Sequence, residues 1–355
     1  MSAEQILENL REGKDVDLKG RIIDGNLDAD QAWPPVDERR MNLRVIRGNL
    51  RLDSCRISGR FAFRRCIFIR DLELPCSEIR GDLDLTDSDL RQLNGSHLHI
   101  VGSAHLAGVS VGGDLSLPSA QVGDRLDLTG ARVRGTLRLG SGEFRNDLDL
   151  VKATLGGADL SFTRVTGQGK LQDVLILSDL TAHDAVVGGG LLLDSVRVLG
   201  QANLNDAEAP GGFSFTNLVA GSDLMLALAS DGPVALADVD VGGDLSLFDG
   251  RFASMTMERL RIKGESEFEG ARFSGRFVIR DSDFGRGFTA QDALFQGDCE
   301  FRKVRFPGKD PMAGALFARS PLLIETSLPV PPTVQSDQDS TEEEELEFQD
   351  SPMEP

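Results

Sequence analysis

Tyrosine is absent from this 355-residue chain, and tryptophan occurs once, at Trp33. Its interior therefore has to be built from small and aliphatic side chains and phenylalanine, with almost no rings that carry a polar edge. Positive charge is scarce: 38 Lys and Arg face 57 Asp and Glu, for a formal charge of -19. A phosphate backbone needs a basic footprint, so direct nucleic-acid binding is not expected. The four cysteines have neither metal-type spacing nor the density of a disulfide framework, which points to a reducing compartment, the cytoplasm. No apolar run reaches 18 residues, and no basic segment leading into an apolar one opens the chain, so neither membrane insertion nor export is expected. Dinucleotide-binding, phosphate-loop and nucleophile-elbow motifs are missing as well.

What the chain does have is glycine, 39 residues of it, and a beat. Pairs of small or apolar residues, one residue apart, recur at alternating steps of five and six: Leu50/Leu52, Cys55/Ile57, Phe61/Phe63 and Cys66/Phe68. The beat returns toward the other end as Ser266/Phe268, Ala271/Phe273, Phe277/Ile279 and Ser282/Phe284. Residues i and i+2 of an extended segment share a face, so each pair is a very short strand pointing two side chains inward. A step of five or six covers that strand and a tight corner. The corners read Gly81-Asp82, Gly113-Asp114 and Gly123-Asp124, where Gly gives a permissive backbone and Asp a side-chain acceptor.

Four sides make a square coil of 22 residues, and like residues repeat at that interval: Phe273 and Phe295, Phe284 and Phe306. The expected fold is all-β, a quadrilateral β-helix of about thirteen coils with ladders at ~4.8 Å spacing. The register slips by one near Leu93, near Leu160 and between Leu171 and Leu193.

The organisation expected is a helical cap over 1–14, the β-helix over 15–306 with a loop insertion at about 29–43, a C-terminal cap or linker over 307–334, and a disordered acidic tail over 335–355. Ser2, with Gln5 three positions on, forms the start signal of the cap helix, and Gly13 its stop. Self-association is expected through the C-terminal end, where exposed ladders invite edge pairing.

Ala153-Thr154-Leu155, Ala202-Asn203-Leu204, Ala271-Arg272-Phe273 and Ala293-Leu294-Phe295 resemble the pentapeptide-repeat family, as does the opening Val16-Asp17-Leu18-Lys19-Gly20. The resemblance covers 16–306 and implies a right-handed quadrilateral β-helix. Alternate sides depart from the family unit by carrying six residues and a Leu-x-Leu pattern. Some members of that family mimic the charge of duplex DNA and occupy the DNA-binding face of type II topoisomerases.

A solid interior leaves walls, corners, loops and ends as places for function. One wall reads Ala62, Asp84, His105, Asp127 and Asp149 at its outward centre, and stacked carboxylates repel one another. Asp84, Asp127 and Asp149 are therefore candidate partner contacts. Trp33 is another, with a Trp tucked onto the first coil as the alternative. In the tail, which holds nine acidic residues and no Lys or Arg from 336 on, Leu346 and Phe348 sit among carboxylates and suit a basic, partly apolar groove; a solubilising tail is the alternative. His99 and His105 fall at outward centres of adjacent sides and His97 at the preceding corner, so they are read as solvated side chains, with no metal, cofactor or catalytic residue expected. Cys55, Cys66 and Cys299 take inward positions as small hydrophobes. The expected function is a non-enzymatic interaction or scaffold protein of the bacterial cytoplasm with an unidentified protein partner. The alternative is a DNA-mimicking regulator of a type II topoisomerase such as gyrase.

Overall fold

The computed structural model describes residues 2–33, 43–328, 330 and 332–334. Over these the chain winds into a β-solenoid of about 13 turns, made almost wholly of two- to four-residue parallel strands. Successive coils pair in register at the predicted interval, as in Leu126↔Leu148, Gln121↔Glu143 and Leu115↔Leu137. The slips are coils one residue shorter, for example Leu72↔Leu93 and Leu137↔Ala158. The missing residue is taken from a corner: Val111 and Leu115 are separated by three residues, but Leu90 and Leu93 by two. The inward pairs stay aligned because losing a core contact costs more than tightening a turn.

Both members of nearly every inward pair are buried, among them Leu83, Leu85, Leu126 and Leu128 at 0% exposure, with Leu18 and Phe306 near the two ends partly buried. Phenylalanines stack coil on coil, with Phe252, Phe273, Phe295 and Phe317 at centroid spacings of 5.1, 4.9 and 4.6 Å. Two serines in inward slots are satisfied by backbone, whereas the buried Ser266 hydroxyl has no partner among the described residues. Ser77 Oγ donates to the Leu52 carbonyl at 2.8 Å and accepts the Cys55 N–H at 2.9 Å, and Ser88 repeats this with Phe63 and Cys66.

The four corners are of two chemical kinds. At two of them a single residue takes a left-handed backbone, at Asp173, Asp184, Ser195, Asp206 and Asn217 with φ of 52–57°. Asp and Asn tolerate that conformation better than other non-glycine residues. At the other two, a corner Asp accepts a backbone N–H from the next coil: Asp82 from Ser103, Asp147 from Gln168, Asp179 from Gln201 and Asp244 from Glu265, all at 2.8–2.9 Å. The glycine seated over each of these carboxylates makes room for it. A Cβ on Gly102, Gly167, Gly200 or Gly264 would lie 2.0–2.3 Å from the Asp oxygen of the coil below. The Gly-Asp pairs of the sequence are thus interlocked between coils, the Asp of one coil occupying the space left by the Gly of the next.

The predicted cap helix spans Ala3–Arg11, with Ser2 Oγ accepting the Gln5 N–H and Gly13 ending it at φ 77°. Ile6, Leu7 and Leu10 are buried on the first coil. The insertion after Asp28 begins with the short helix Ala29–Ala32, capped by the Asp28 carboxylate. At the far end the ladder continues past Phe306: Leu316–Phe317, Leu322–Ile324 and Thr333–Val334 pair in register on Leu294–Phe295, Cys299–Arg302 and Leu316–Phe317.

Candidate functional site

The interior offers no chemistry. Burial pushes the Cys66 and Cys299 thiols up to about 12, far from the range in which a thiolate forms. Cys55 is also buried; Cys76 stands exposed at a left-handed corner, and all four are free. His99 and His105 lie at outward strand positions on different walls and His97 at a corner, as expected. His183, which the blurred register could not place, sits at a corner, with Nδ1 3.0 Å from Asp184 and its ring against Phe162. Among the described residues no three His, Cys, Asp or Glu side chains are grouped to hold a metal ion.

The acidic wall has the predicted column, Asp84↔His105↔Asp127↔Asp149. Its carboxylates are not free. Arg64 reaches Asp84 at 3.6 Å, while Arg125 reaches Asp149 at 2.5 Å and Asp127 at 3.6 Å. Asp149, 3% exposed, also has Lys170 at 3.8 Å. Asp84 and Asp127 further accept the backbone N–H of Thr86 and Thr129 at 3.1 and 3.0 Å. Guanidinium groups thus offset the repulsion that a bare ladder of aspartates would carry. Residues 24 apart in sequence, such as Arg125 and Asp149, meet because a corner residue leans across to the next coil, which the linear pattern does not reveal.

Trp33 packs inward. It is partly buried against the core, its ring edge-on to Phe63 at 6.4 Å, and its carbonyl accepts Arg44 Nε at 2.9 Å. Leu346 and Phe348 lie outside the described residues.

A different wall carries the feature that the sequence pattern did not single out. Its outward centre reads Ser110, Arg132, Thr154, Leu175, Arg197 and Val219 on successive coils. Beside that column, at the adjoining corner, stand Gly112, Arg134, Gly156, Leu177, Leu199 and Gly221. Leu177 and Leu199 are each 50% exposed on adjacent coils, with Leu175 and Val219 half-buried alongside. Among the described residues Arg132, Arg134 and Arg197 make no ion pair, although Arg44, Arg64 and Arg125 do. Asp114, Asp173 and Asp179 stand at the bordering corners, and Asp114 and Asp179 are tied to the backbone of Thr136 and Gln201. On this leucine wall the exposed leucines stand at one corner, and Arg132 and Arg197 punctuate the outward column beside them. Leu177 falls between Leu171 and Leu193, where the register slips, so its outward position does not follow from the beat alone.

An open depression of about 630 Å³ lies on a further wall, among Glu208, Asp231, Arg251, Arg272 and Ser274. Its lining holds no His, Cys or Lys, and its buried Ser230 hydroxyl donates to the Gly232 carbonyl at 3.0 Å, so no nucleophile is paired with a base there. Among the described residues no helix is long and apolar enough to cross a membrane. No protein-family model, curated protein or solved structure matches the chain.

Proposed function

We propose that this chain is a non-enzymatic interaction or scaffold protein, a divergent relative of the pentapeptide-repeat proteins working in a reducing cytoplasm, and that the leucine wall is its contact surface. The observation that carries this reading is the pair of half-exposed leucines, Leu177 and Leu199, at the edge of a wall bearing Arg132, Arg134 and Arg197, which make no ion pair among the described residues. Contiguous apolar surface rimmed by charge is what contact sites have in common. It fits a partner segment that offers an apolar side chain among carboxylates. A second contact is proposed at the C-terminal end, where Leu323 and Val334 stand in register with the buried Phe301 and Phe317 yet are 37% and 40% exposed. Self-association through that end would cover them.

The test is capture from the native host with the wild-type chain and with Leu177→Asp/Leu199→Asp. A partner held by the first and reduced at least tenfold with the second, at unchanged melting temperature, is the expected result; about 1.4 kcal/mol of lost contact suffices for that factor. Equal capture by both would contradict it. The DNA-mimic alternative has less support, because Arg64, Arg125 and Lys170 neutralise its wall. Micromolar protein is expected to leave gyrase supercoiling unaffected, and inhibition abolished by Asp84, Asp127 and Asp149→Asn would reverse that preference.

A further inference from the structure

The chain itself contains a segment of the chemistry that suits the leucine wall. Residues 342–348 read Glu-Glu-Glu-Glu-Leu-Glu-Phe, five carboxylates around one leucine and one phenylalanine. We infer that this segment docks in cis on the leucine wall and competes there with any partner; the inference rests on reading that wall as a contact surface.

Three properties support it. The first is charge. Between Ser110 and Val219 the outward centre of the wall and the first position of its Gly-bearing corner hold Arg132, Arg134 and Arg197 and no acidic residue, while Asp114, Asp179 and Asp223 further round that corner each accept a backbone N–H of the next coil. The aspartate wall is less suited to a run of glutamates, since its cations Arg64, Arg125 and Lys170 are already paired with Asp84, Asp127 and Asp149. The second is apolar fit. Leu177 and Leu199 leave two exposed surfaces one coil apart, about 4.8 Å, and residues 346 and 348 of an extended segment point to one side, about 7 Å apart. The third is reach. Val334, the last described residue, pairs with Phe317 about six coils beyond Leu199, or on the order of 30 Å along the axis at ~4.8 Å per coil. Passage to the opposite wall adds on the order of 20 Å at right angles, against a span of ~46 Å for the fourteen residues from 335 to 348. Tethering at that distance gives an effective concentration in the millimolar range. A segment whose free affinity is only ~0.1 mM would then occupy the wall about nine-tenths of the time and weaken a competing partner roughly tenfold.

The experiment uses the full chain carrying Cys76→Ser, which removes the exposed thiol. Phe348→Cys is combined either with Leu199→Cys or, as the control, with Glu208→Cys. Glu208 is exposed on the same wall as Val334 and is therefore nearer to the start of the tail. Disulfide closure under mild oxidation is followed by peptide mass. The 199/348 pair is expected to close at least ten times faster than 208/348. Its rate should be independent of protein concentration, and the advantage should disappear with Arg132→Glu/Arg134→Glu/Arg197→Glu. Faster or equal closure at 208, links formed only between copies, or an advantage that survives charge reversal would each overturn the inference. No partner enters this assay, so its failure would leave the partner reading of the wall standing, and failure of the capture assay would not touch the cis contact.

Discussion

Leu126→Asp is expected to abolish cooperative unfolding, leaving a chain without a native β signal at room temperature. Leu126 is 0% exposed, stacked in register between Ala104 and Leu148. No cation lies inside the solenoid to meet a carboxylate there, since no Lys, Arg or His is buried among the described residues. An unpaired buried charge costs several kcal/mol even after it neutralises by taking up a proton, and total stability is only about 5–15 kcal/mol. Each coil is stabilised mainly by its two neighbours, so a defect in the middle of the rod weakens both halves. Gln121→Asp, one side earlier but outward, is the control, with an expected change within about 0.5 kcal/mol. Circular dichroism melts of the two variants decide it: equal melting temperatures would mean that the inward register is wrong.

Gly264→Ala is expected to cost about 3 kcal/mol although it adds only one methyl group, at a corner. The new Cβ would lie 2.0 Å from Asp244 Oδ1 and 2.4 Å from the Gly243 carbonyl oxygen. Neither neighbour can retreat freely. Asp244 Oδ1 accepts the Glu265 N–H at 2.8 Å, and the Gly243 carbonyl accepts the Gly264 N–H at 2.8 Å. Adding Asp244→Ala should recover only part of the loss, because the carbonyl remains. Gly130→Asn is the comparison. Its φ of 68° suits Asn, nothing stands nearer than 4.0 Å, and a loss below about 1 kcal/mol is expected. Denaturant midpoints rank the two, and a Gly264→Ala chain as stable as Gly130→Asn would refute the interlocking of Gly over Asp.

These two residues mark what the sequence could and could not reveal. Leu126 was legible as core because strand periodicity acts within a few residues, and inward, outward and corner follow by counting. Gly264 was legible as a turn residue, but not as the lid over Asp244, because that relation joins neighbouring coils. The same limit hid Arg125 from Asp149. The column of aspartates could be read, whereas its neutralisation depends on where long side chains lean. The slips near Leu93 and Leu160 looked like decay of the pattern and are shortened corners with the core intact. Leu175, Leu177 and Leu199 fell within or beside the stretch where counting had blurred, so their outward position could not be asserted. Trp33, ambiguous between a contact and a core residue, packs on Phe63.

The central claim is that the beat assigns each residue to the inside, a corner or a wall, which leaves function to the outer surface. The four cysteines sample that assignment at four places, three inside and one at a corner. Titration of the native chain with an aromatic disulfide reagent tests it most directly. One thiol per chain, Cys76, should react within minutes, and all four should react in denaturant. Two or more reactive thiols in the native state, or a labelled peptide containing Cys55, Cys66 or Cys299, would contradict it.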